Sequence, residues 1–441
     1  MRVRFWGTRG SIAKPGPATV RFGGNTSCVE VRSATGTLLV LDCGTGAHGL
    51  GHALAAERTK PYRGHILITH THWDHIQGFP FFAPLFLPGD EWDVYAPRGL
   101  RESLRDTLAG QMQYTYFPVS LEQFAATVRY HDLVEGSFAV DEVRVTSKYL
   151  NHPALALGYR LEVGSVAIVY SSDHEPHAPP LAAPGAAFAH REDRRHVEFL
   201  ANADLVIHDA QYSLDEYREK VGWGHTPAEG AVDYALAAHA RRLVLYHHDP
   251  QRDDDGVDRL VETCRRRVAV AGGGLEVFAA AESHSIELAE GEGQQRETAR
   301  PAIVAPIAAE QETILVADDD PAIVALLRAC LEGDGFRVVT AEDGEAALRL
   351  AHVERPALLL LDWQMPGSSG IEVTRALREG DSAHLRTVPV VLITAQAGAE
   401  NTAAGFAAGV TDYLTKPFRA AHVRARVRAW LLRRAAGPAE R

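Results

Sequence analysis

Four histidine and aspartate side chains lie within six consecutive positions of this sequence, directly after an apolar run. GHILIT (64–69) has the pattern of a buried strand, and HTHWDH follows it. Alternate residues of an extended segment face the same side, so His70 and His72 can bind one ion together. Asp74 and His75 follow at the turn into a helix and face a neighbouring position. This pattern predicts two adjacent metals at a strand end rather than a run of surface histidines.

Length and charge limit the classes of protein to which this chain can belong. Its 441 residues are more than a single hydrophobic core usually organises, so two or three domains are expected. A formal net charge of −12 argues against a general nucleic-acid binder. The four cysteines include no C-x-x-C pair, which suits a reducing compartment. Because neither a signal peptide nor a membrane span is evident, we expect a cytoplasmic protein without a membrane partner.

A linker is expected to divide the chain at 286–311, where Glu, Ala, Gln and Pro are abundant and aromatic residues are absent. Strand-like runs alternate with turns and helices over 1–285, which predicts a first domain. Apolar strands alternate with helical segments over 312–434, which predicts a doubly wound parallel sheet in a second domain. The expected fold class is therefore α/β with two domains.

The clustered ligands of the first domain carry a resemblance to a family. H-x-H-x-D-H at a strand end resembles the signature of the metallo-β-lactamase fold, and LDCGTG at 41–46 is similar to its early strand-to-turn segment. The resemblance covers most of 1–285. It looks closest to the phosphodiesterase branch, which includes tRNA-processing endonucleases and small-molecule phosphodiesterases. It implies an αββα sandwich with a dinuclear metal site between its sheets.

Further ligand candidates follow three other strand-like runs, in the order that the resemblance implies. VRVTSKYLNHP supplies His152, and VAIVYSSDHE supplies Asp173, with His174 as the competing choice. RLVLYHHDP supplies His247, with His248 as its rival, and the resemblance favours His247 because the last ligand of the family directly follows the strand. Nitrogen and oxygen ligands without thiolate favour zinc, with manganese or iron as alternatives.

The resemblance implies how these ligands divide between two metals. The first metal is assigned to His70, His72, His152 and Asp173, and the second to Asp74, His75, Asp173 and His247. Asp173 would bridge both ions. Such a pair of metals suits a hydrolytic centre that acts on a phosphodiester.

A proton donor for the leaving oxygen is expected near a later helix. In GWGHTPAEGAVDYA, the residues His225, Thr226 and Pro227 resemble the His-Ser-Thr segment of the branch, from which Pro227 departs. VIHDAQY at 206–212 resembles the companion acidic segment, and its acid is Asp209. Asp209 would orient and charge the imidazole of His225. The alternative is that His225 only caps a helix.

Clustered carboxylates recur in the second domain. Asp318 and Asp319 close the strand ILVA, Asp362 closes ALLLLD, Thr394 closes PVVLI and Lys416 follows DYLT. In a doubly wound sheet these strand ends converge at one edge, which is the usual ligand site. Three carboxylates repel one another unless a cation lies among them, and magnesium prefers such oxygen ligands.

These motifs resemble the receiver domain of two-component response regulators over about 312–434. DDDP is followed by D-x-x-M-P-G-x-x-G at 362–370, TA at 394–395 and Y-x-x-K-P-F at 413–418. The resemblance implies a five-stranded, flavodoxin-like parallel sheet. It also implies a sensor histidine kinase or a phosphotransfer protein as the phosphoryl donor.

The receiver resemblance assigns a role to each of these residues. Asp362 would accept the phosphoryl group, Asp319 would bind magnesium directly and Asp318 through water, and the Gln364 carbonyl would complete the shell. Thr394 and Lys416 would bind the phosphoryl oxygens, and Tyr413 would be the conformational switch.

Together, the two halves predict a metal-dependent hydrolase that receiver phosphorylation controls. The expected substrate is a small phosphodiester such as a cyclic nucleotide, with Asp74, His225 and Asp209 as catalytic residues. An RNA-processing nuclease, a lactone or thioester hydrolase and a non-catalytic, phosphorylation-dependent scaffold remain alternatives. A homodimer also stays open.

Overall fold

A computed structural model of the protein describes residues 1–97, 103–177, 180, 188, 190–289, 312–394, 405, 407–418, 423–424, 426–427 and 430–431. The chain forms two compact units that divide within 290–311. Most of the expected linker, and the end of the second expected domain, lie outside the described residues. The boundaries at 285 and 312 stay predictions.

Two seven-stranded sheets form the first unit. In spatial order, the first sheet consists of β14 (Ser285–Glu287), β1 (Arg2–Gly7), β2 (Cys28–Arg32), β3 (Leu38–Leu41), β4 (Arg63–Leu67), β5 (Glu91–Pro97) and β6 (Thr127–Leu133). The second consists of β13 (Glu276–Ala279), β12 (Arg242–Tyr246), β11 (Leu205–Asp209), β10 (Val166–Ser171), β9 (Leu157–Val163), β8 (Val143–Tyr149) and β7 (Gly136–Val140).

Helices cover the outer faces of these sheets. They are α1 (Gly46–Glu57), α2 (Trp73–Ile76), α3 (Leu104–Gln111), α4 (Arg191–Leu200), α5 (Leu214–Tyr217), α6 (Ala228–Ala237) and α7 (Asp254–Ala271). Short 3-10 turns occupy Pro17–Thr19, Phe79–Phe81, Ala83–Phe86 and Leu121–Gln123. Leu38 and Val40 of β3 pack with Leu50 of α1, while Val206 of β11 packs with Val232 of α6.

The inner faces of the two sheets pack against each other. Residues of a strand alternate between its faces, so Leu39 and Leu41 of β3 lie opposite the α1 side and are fully buried. The Tyr246 hydroxyl donates to the Gly7 carbonyl (2.7 Å), and the Tyr159 hydroxyl donates to Ile68 (2.6 Å). These bonds join the sheets, and the αββα sandwich expected from the sequence is confirmed.

Strand β14 extends the first sheet beyond residue 285. Ile286 is buried and pairs with Val3 of β1. The Leu288 amide then donates to the Met1 carbonyl (2.7 Å), so the ordered pairing runs past the expected start of the linker. The pairing joins residues from opposite ends of the domain, and local composition carries no sign of such a contact.

The second unit is a five-stranded parallel sheet with helices. Its strands in spatial order are β16 (Arg337–Ala341), β15 (Thr313–Ala317), β17 (Leu358–Asp362), β18 (Val390–Thr394) and β19 (Asp412–Thr415). The helices are α8 (Pro321–Gly333), α9 (Gly344–Glu354), α10 (Gly370–Glu379) and α11 (Ala383–Thr387). The described pairings are all parallel, which confirms the doubly wound sheet.

Within the described part of the chain, every helix falls short of the length and apolar character that a membrane-spanning segment requires.

Candidate metal centre

The predicted ligands of the first unit meet at the edge where strands of both sheets end. The segment from His70 to His75 follows β4 in the first sheet and leads through α2. His152, Asp173 and His247 follow β8, β10 and β12 of the second sheet. Each side chain is therefore placed by a buried strand, which limits the freedom of its backbone.

The first group of candidate ligands comprises His70, His72, His152 and Asp173. The Nε2 atoms of His70 and His152 each lie 3.7 Å from Asp173 Oδ2, and His152 Nε2 lies 3.2 Å from His72 Nδ1. Bonds of about 2.0–2.2 Å around a tetrahedral ion separate the ligand atoms by about 3.3–3.6 Å. The observed separations are therefore compatible with four ligands around one ion.

The second group comprises Asp74, His75, Asp173 and His247. The Nε2 atoms of His75 and His247 lie 3.2 and 3.1 Å from Asp74 Oδ2. The same two nitrogens lie 3.3 and 3.2 Å from Asp173 Oδ1. Asp173 thus turns Oδ1 toward this group and Oδ2 toward the first, which is the arrangement of a carboxylate that bridges two ions.

Unsatisfied nitrogens indicate that these groups fit metals. His70 Nε2 and His75 Nε2 are buried and make no hydrogen bond to any described residue. A buried polar atom left unpaired costs about 1–3 kcal/mol, and coordination to a cation would remove that cost. The donor set of imidazoles and carboxylates therefore fits two divalent cations.

The protonation states of two candidate imidazole ligands, His70 and His152, agree with metal binding. Burial lowers the pKa of His70 well below its ordinary value, and burial lowers the pKa of His152 to about 3. Both imidazoles are therefore neutral at pH 7, the form that binds metals. Burial opposes ionisation of Asp74, but His75 and His247 together hold the pKa of this carboxyl well below its usual range.

Asp42 holds two of the candidate ligands from behind, and its sequence position carried no predicted role. Its carboxylate accepts hydrogen bonds from His75 Nδ1 (2.8 Å), the Thr69 amide (2.7 Å) and the Tyr170 hydroxyl (2.7 Å). The Thr69 hydroxyl in turn lies 3.1 Å from His70 Nδ1. Such partners fix the orientation of a ligating imidazole. The available signal was an aspartate that directly follows a buried strand, in LDCGTG.

Replacing Asp42 with asparagine should weaken both the fold and the metal centre. The amide nitrogen must face one of the buried donors, so we expect a loss of about 2–3 kcal/mol in the free energy of unfolding. We expect metal affinity to fall by about 10- to 100-fold. Urea unfolding and competition with a chelator measure the two effects. Tyr159→Phe removes a buried inter-sheet hydrogen bond that does not touch Asp42, and should leave metal affinity unchanged.

The backbone at the centre adopts conformations that are uncommon for residues other than glycine. Asp42, Asp173 and His247 have φ values of 59°, 57° and 61°, and Ser11 has 63°. The Ser11 amide donates to Asp74 Oδ2 (2.7 Å). Strained residues persist where surrounding contacts hold them, as at ligand sites. Ser11 is a further residue that sequence analysis missed, because its contact with Asp74 arises only in the folded chain.

His225 and Asp209 form a pair beside the two metal positions. His225 Nδ1 lies 3.0 Å from Asp209 Oδ2 and 4.0 Å from Asp173 Oδ2. Helix α6 has Pro227 as its N-cap with no side-chain cap, so His225 does not cap this helix. Burial acts to lower the pKa of His225, but the charge and hydrogen bond of Asp209 outweigh burial and raise this pKa to about 9. The imidazole is therefore protonated at neutral pH.

The two rival ligands lie outside both groups. His174 Nδ1 accepts a hydrogen bond from the backbone amide of Asn151 (3.2 Å). His248 Nε2 donates to the Ala280 carbonyl (2.9 Å). Asp173 and His247, rather than these neighbours, therefore enter the groups that could hold metals.

Three buried histidines, His174, His196 and His208, form a cluster behind the centre. His208 Nδ1 donates to the Asp209 carbonyl (2.8 Å), so His208 Nε2 accepts from His196 Nε2 (3.0 Å). The rings of His174 and His196 stack with centroids 3.8 Å apart. Burial lowers the pKa of all three imidazoles, so they are neutral at pH 7.

Acid should destabilise the fold through this cluster of three histidines. Its pKa values lie below those of the unfolded chain, which therefore binds more protons once the pH falls below about 6.5. Each such histidine lowers the free energy of unfolding by up to about 1.4 kcal/mol per pH unit over that range. We expect His196→Gln, whose amide can still donate to His208, to show a shallower acid slope in urea unfolding. His284→Gln changes an exposed histidine and should leave the slope unchanged, and equal slopes in all three proteins would contradict this account.

The predicted residues of the second unit also meet at strand ends. Lys416 Nζ lies 2.9 Å from Asp318 Oδ2 and 2.6 Å from Asp362 Oδ1. The backbone amide of Gln364 donates to Asp362 Oδ2 (2.8 Å), while Asp319 is exposed. Burial raises the pKa of Asp318 despite the hydrogen bond from Lys416. A cation among these carboxylates would favour their ionised form.

Thr394 and Tyr413 lie on adjacent strands of the same sheet. Both are buried, and the Lys416 amide donates to the Thr394 carbonyl (2.7 Å). A Cβ atom at Gly405 would approach the Tyr413 hydroxyl to 1.8 Å, so this inward position of the ring requires glycine there. The ring centroid of Tyr413 lies 6.2 Å from that of Trp363, directly after Asp362.

Two family models match this chain. Residues 37–248 match the beta-lactamase superfamily domain, and residues 314–428 match the response regulator receiver domain. The DNA-binding response regulator MtrA from Mycolicibacterium smegmatis is 42% identical over 130 residues, which cover 30% of this chain and 55% of MtrA. The transcriptional regulatory protein PhoP from Bacillus subtilis is 43% identical over 120 residues, covering 27% and 48%. The chain spans about half the length of these curated relatives.

Solved structures similar to the first unit share little sequence with it. The metallo-beta-lactamase fold protein YhfI from Bacillus subtilis has a TM-score of 0.46 and 19% identity, covering 65% of this chain and 99% of YhfI. The short form of human tRNase Z has a TM-score of 0.44 and 22% identity, covering 66% and 100%. On the family matches and the observed sheets, the chain joins an N-terminal metallo-β-lactamase-fold domain to a C-terminal response regulator receiver domain.

Proposed function

We propose that the first domain is a dinuclear phosphodiesterase for small diesters, and that phosphorylation of the receiver controls it. The observation that carries this proposal is the position of Asp173, whose two oxygens face two separate sets of ligands. A bridging carboxylate holds two cations at the short separation that phosphoester hydrolysis requires. Zinc is the cation that the nitrogen and oxygen ligands favour.

The metals and the surrounding residues have separate tasks in this proposal. When bound, two divalent cations activate water and neutralise charge on the phosphoryl oxygens. Asp42 and Gln211 hold the far nitrogens of His75 and His247 at 2.8 and 3.0 Å, so that Nε2 of each imidazole faces the centre. This orientation restricts the ligands before substrate arrives.

His225 is proposed as the proton donor for the leaving oxygen. Asp209 holds its Nδ1, so Nε2 is the nitrogen that can reach substrate. The raised pKa of His225 keeps that nitrogen protonated at neutral pH. Asp209 does not touch substrate, and is a positioning residue that stabilises the charged imidazole.

A small diester suits the charge of this protein better than RNA does. The chain carries a formal net charge of −12. A long polyanion would bring many phosphates against this field, whereas a cyclic nucleotide brings one. His72, the exposed member of the first ligand group, marks the side from which a small molecule can enter.

A panel of substrates tests the proposed chemistry. Metal-replete protein is incubated with cyclic AMP, an acyl lactone, an acyl thioester and single-stranded RNA. We expect hydrolysis of the cyclic nucleotide, its loss in Asp74→Ala and its retention in Asp215→Asn, which changes an exposed carboxylate. Turnover of only the lactone or thioester would replace the proposal. Preference for RNA would favour a nuclease, and two bound metals without any turnover would favour a scaffold.

The receiver is proposed to accept a phosphoryl group on Asp362 from a sensor histidine kinase or a phosphotransfer protein, with magnesium bound by Asp318, Asp319, Asp362 and the Gln364 carbonyl. Lys416 supports this proposal, since it already contacts the Asp362 carboxylate. Thr394 would bind the phosphoryl oxygens, and Tyr413 would report the change to the surface. Phosphorylation would shift the population of receiver conformations and thereby the activity of the first domain.

Phosphorylation with acetyl phosphate and magnesium tests the receiver proposal. We expect one alkali-labile phosphoryl group per chain, which retards the protein in a phosphate-affinity gel. Asp362→Asn should abolish this retardation in the gel. Asp381→Asn, which changes an exposed carboxylate outside the site, should leave the retardation unchanged. Equal labelling of Asp362→Asn would overturn the assignment.

A further inference from the structure

A second set of metal-ligating side chains lies on the outer surface of α1, apart from the centre already described. His48 and His52 are exposed and one helical turn apart. Their Nε2 atoms lie 3.1 Å from each other, and their ring centroids lie 4.5 Å apart. Both nitrogens therefore face the same point in solvent.

The separation of these nitrogens matches two ligands on one cation. Metal–imidazole bonds of about 2.0–2.1 Å and nitrogens 3.1 Å apart give an N–metal–N angle of about 95–102°. This value lies between the square-planar and tetrahedral angles. We propose that His48 and His52 form a bidentate surface site for a divalent cation of the copper, nickel and zinc class, which accept imidazole ligands.

The sequence of α1 supplies a physical role for such a cation. Gly49 and Gly51 lie between the two histidines, and each glycine inside a helix costs up to about 1 kcal/mol relative to alanine. Gly51 is required, because a Cβ atom there would approach the Ala83 nitrogen to 2.8 Å. A cation bound by both imidazoles would link residues on successive turns of α1 and so stabilise the helix between them.

The segment that leads directly into this helix is hydrogen-bonded to the segment that carries His75. The Cys43 amide, three residues before α1, donates to the His75 carbonyl (2.8 Å). The Gly78 amide donates back to the Cys43 carbonyl (2.8 Å). A cation on α1 would therefore stabilise the helix that follows the residue bonded to His75 and Gly78.

Copper binding to the zinc-loaded full-length protein tests this site. One equivalent of Cu²⁺ is added, bound zinc is counted, and the electron paramagnetic resonance spectrum is recorded. We expect nitrogen superhyperfine structure from two imidazoles without loss of zinc. In His48→Asn or His52→Asn the second ligand is lost, so affinity should fall by at least about tenfold. His284→Asn, which changes an exposed histidine elsewhere, should match the wild-type protein.

Hydrogen exchange supplies a second readout that does not depend on the spectrum. Zn²⁺ in slight excess over the dinuclear centre should slow amide exchange in residues 46–57 of the wild-type protein, and should not slow it in the double variant His48→Asn/His52→Asn. Diester hydrolysis should be unchanged in that variant. If the double variant binds copper with the same affinity and spectrum, or if the wild-type protein binds no copper beyond the centre, the two imidazoles form only a hydrogen bond and the proposal is wrong.

Discussion

Replacing Asp173 with asparagine is expected to remove the second metal and nearly all hydrolysis. One oxygen of Asp173 becomes an amide nitrogen, which cannot coordinate a cation. The side chain can then no longer contribute a ligand oxygen to both metal positions. In the proposed centre, bound metals would contribute several kcal/mol of charge stabilisation, so we expect turnover to fall by about 1,000-fold or more. Metal content by mass spectrometry and the rate of diester hydrolysis measure the two effects.

The matched control for Asp173→Asn is Asp215→Asn. Asp215 is 89% exposed and pairs only with Arg218 among the described ion pairs. It should keep two metals and full turnover. Circular dichroism of both variants separates loss of metal from loss of fold. If Asp173→Asn retains two metals and at least a tenth of the wild-type rate, the bridging role of Asp173 is wrong.

Replacing His225 with glutamine is expected to slow hydrolysis according to the leaving group. An alkoxide, such as the ribose oxygen of a cyclic nucleotide, needs a proton, so turnover should fall by about 100- to 10,000-fold. A nitrophenolate leaves without a proton, and an aryl diester should lose less than about tenfold. A proton donor acts selectively in this way, whereas a residue needed only for folding would slow both substrates equally.

The pH profile supplies an independent test of the pair. As the proposed proton donor, His225 would act while protonated, so activity should fall as the pH rises through its pKa of about 9. Asp209 raises the pKa of His225. In Asp209→Asn, the loss of activity at alkaline pH should therefore begin at a lower pH with substrates whose leaving group is an alkoxide. An alkaline limb that stays in place in Asp209→Asn, with the metals retained, would remove His225 from the role of proton donor.

Sequence predicted the parts of the centre that follow strands. Asp74 and His75 are close to His70 along the chain, so local spacing alone indicated two metal positions. His152 and His247 followed from their positions after apolar runs together with the family resemblance. Asp173 was preferred over its neighbour His174 because a carboxylate can bridge two ions, although both residues follow the same strand.

The supporting contacts could not be predicted, because they depend on packing across the sandwich. Tyr170 is 128 residues from Asp42, and its hydroxyl reaches that carboxylate only when the two sheets meet. The cluster of His174, His196 and His208 joins three separate segments for the same reason. Each of these histidines alone has the sequence environment of an ordinary core or surface residue.

The most direct measurement is hydrolysis of an aryl phosphodiester by the metal-replete full-length protein, with and without beryllofluoride as a phosphoryl mimic. The same assay is applied to Asp74→Ala and Asp362→Ala. We predict turnover that is lost in Asp74→Ala, and that beryllofluoride alters in the wild-type protein but not in Asp362→Ala. Absence of turnover in both receiver states, with two metals bound, would contradict the phosphodiesterase. Turnover that beryllofluoride leaves unchanged would contradict control by the receiver.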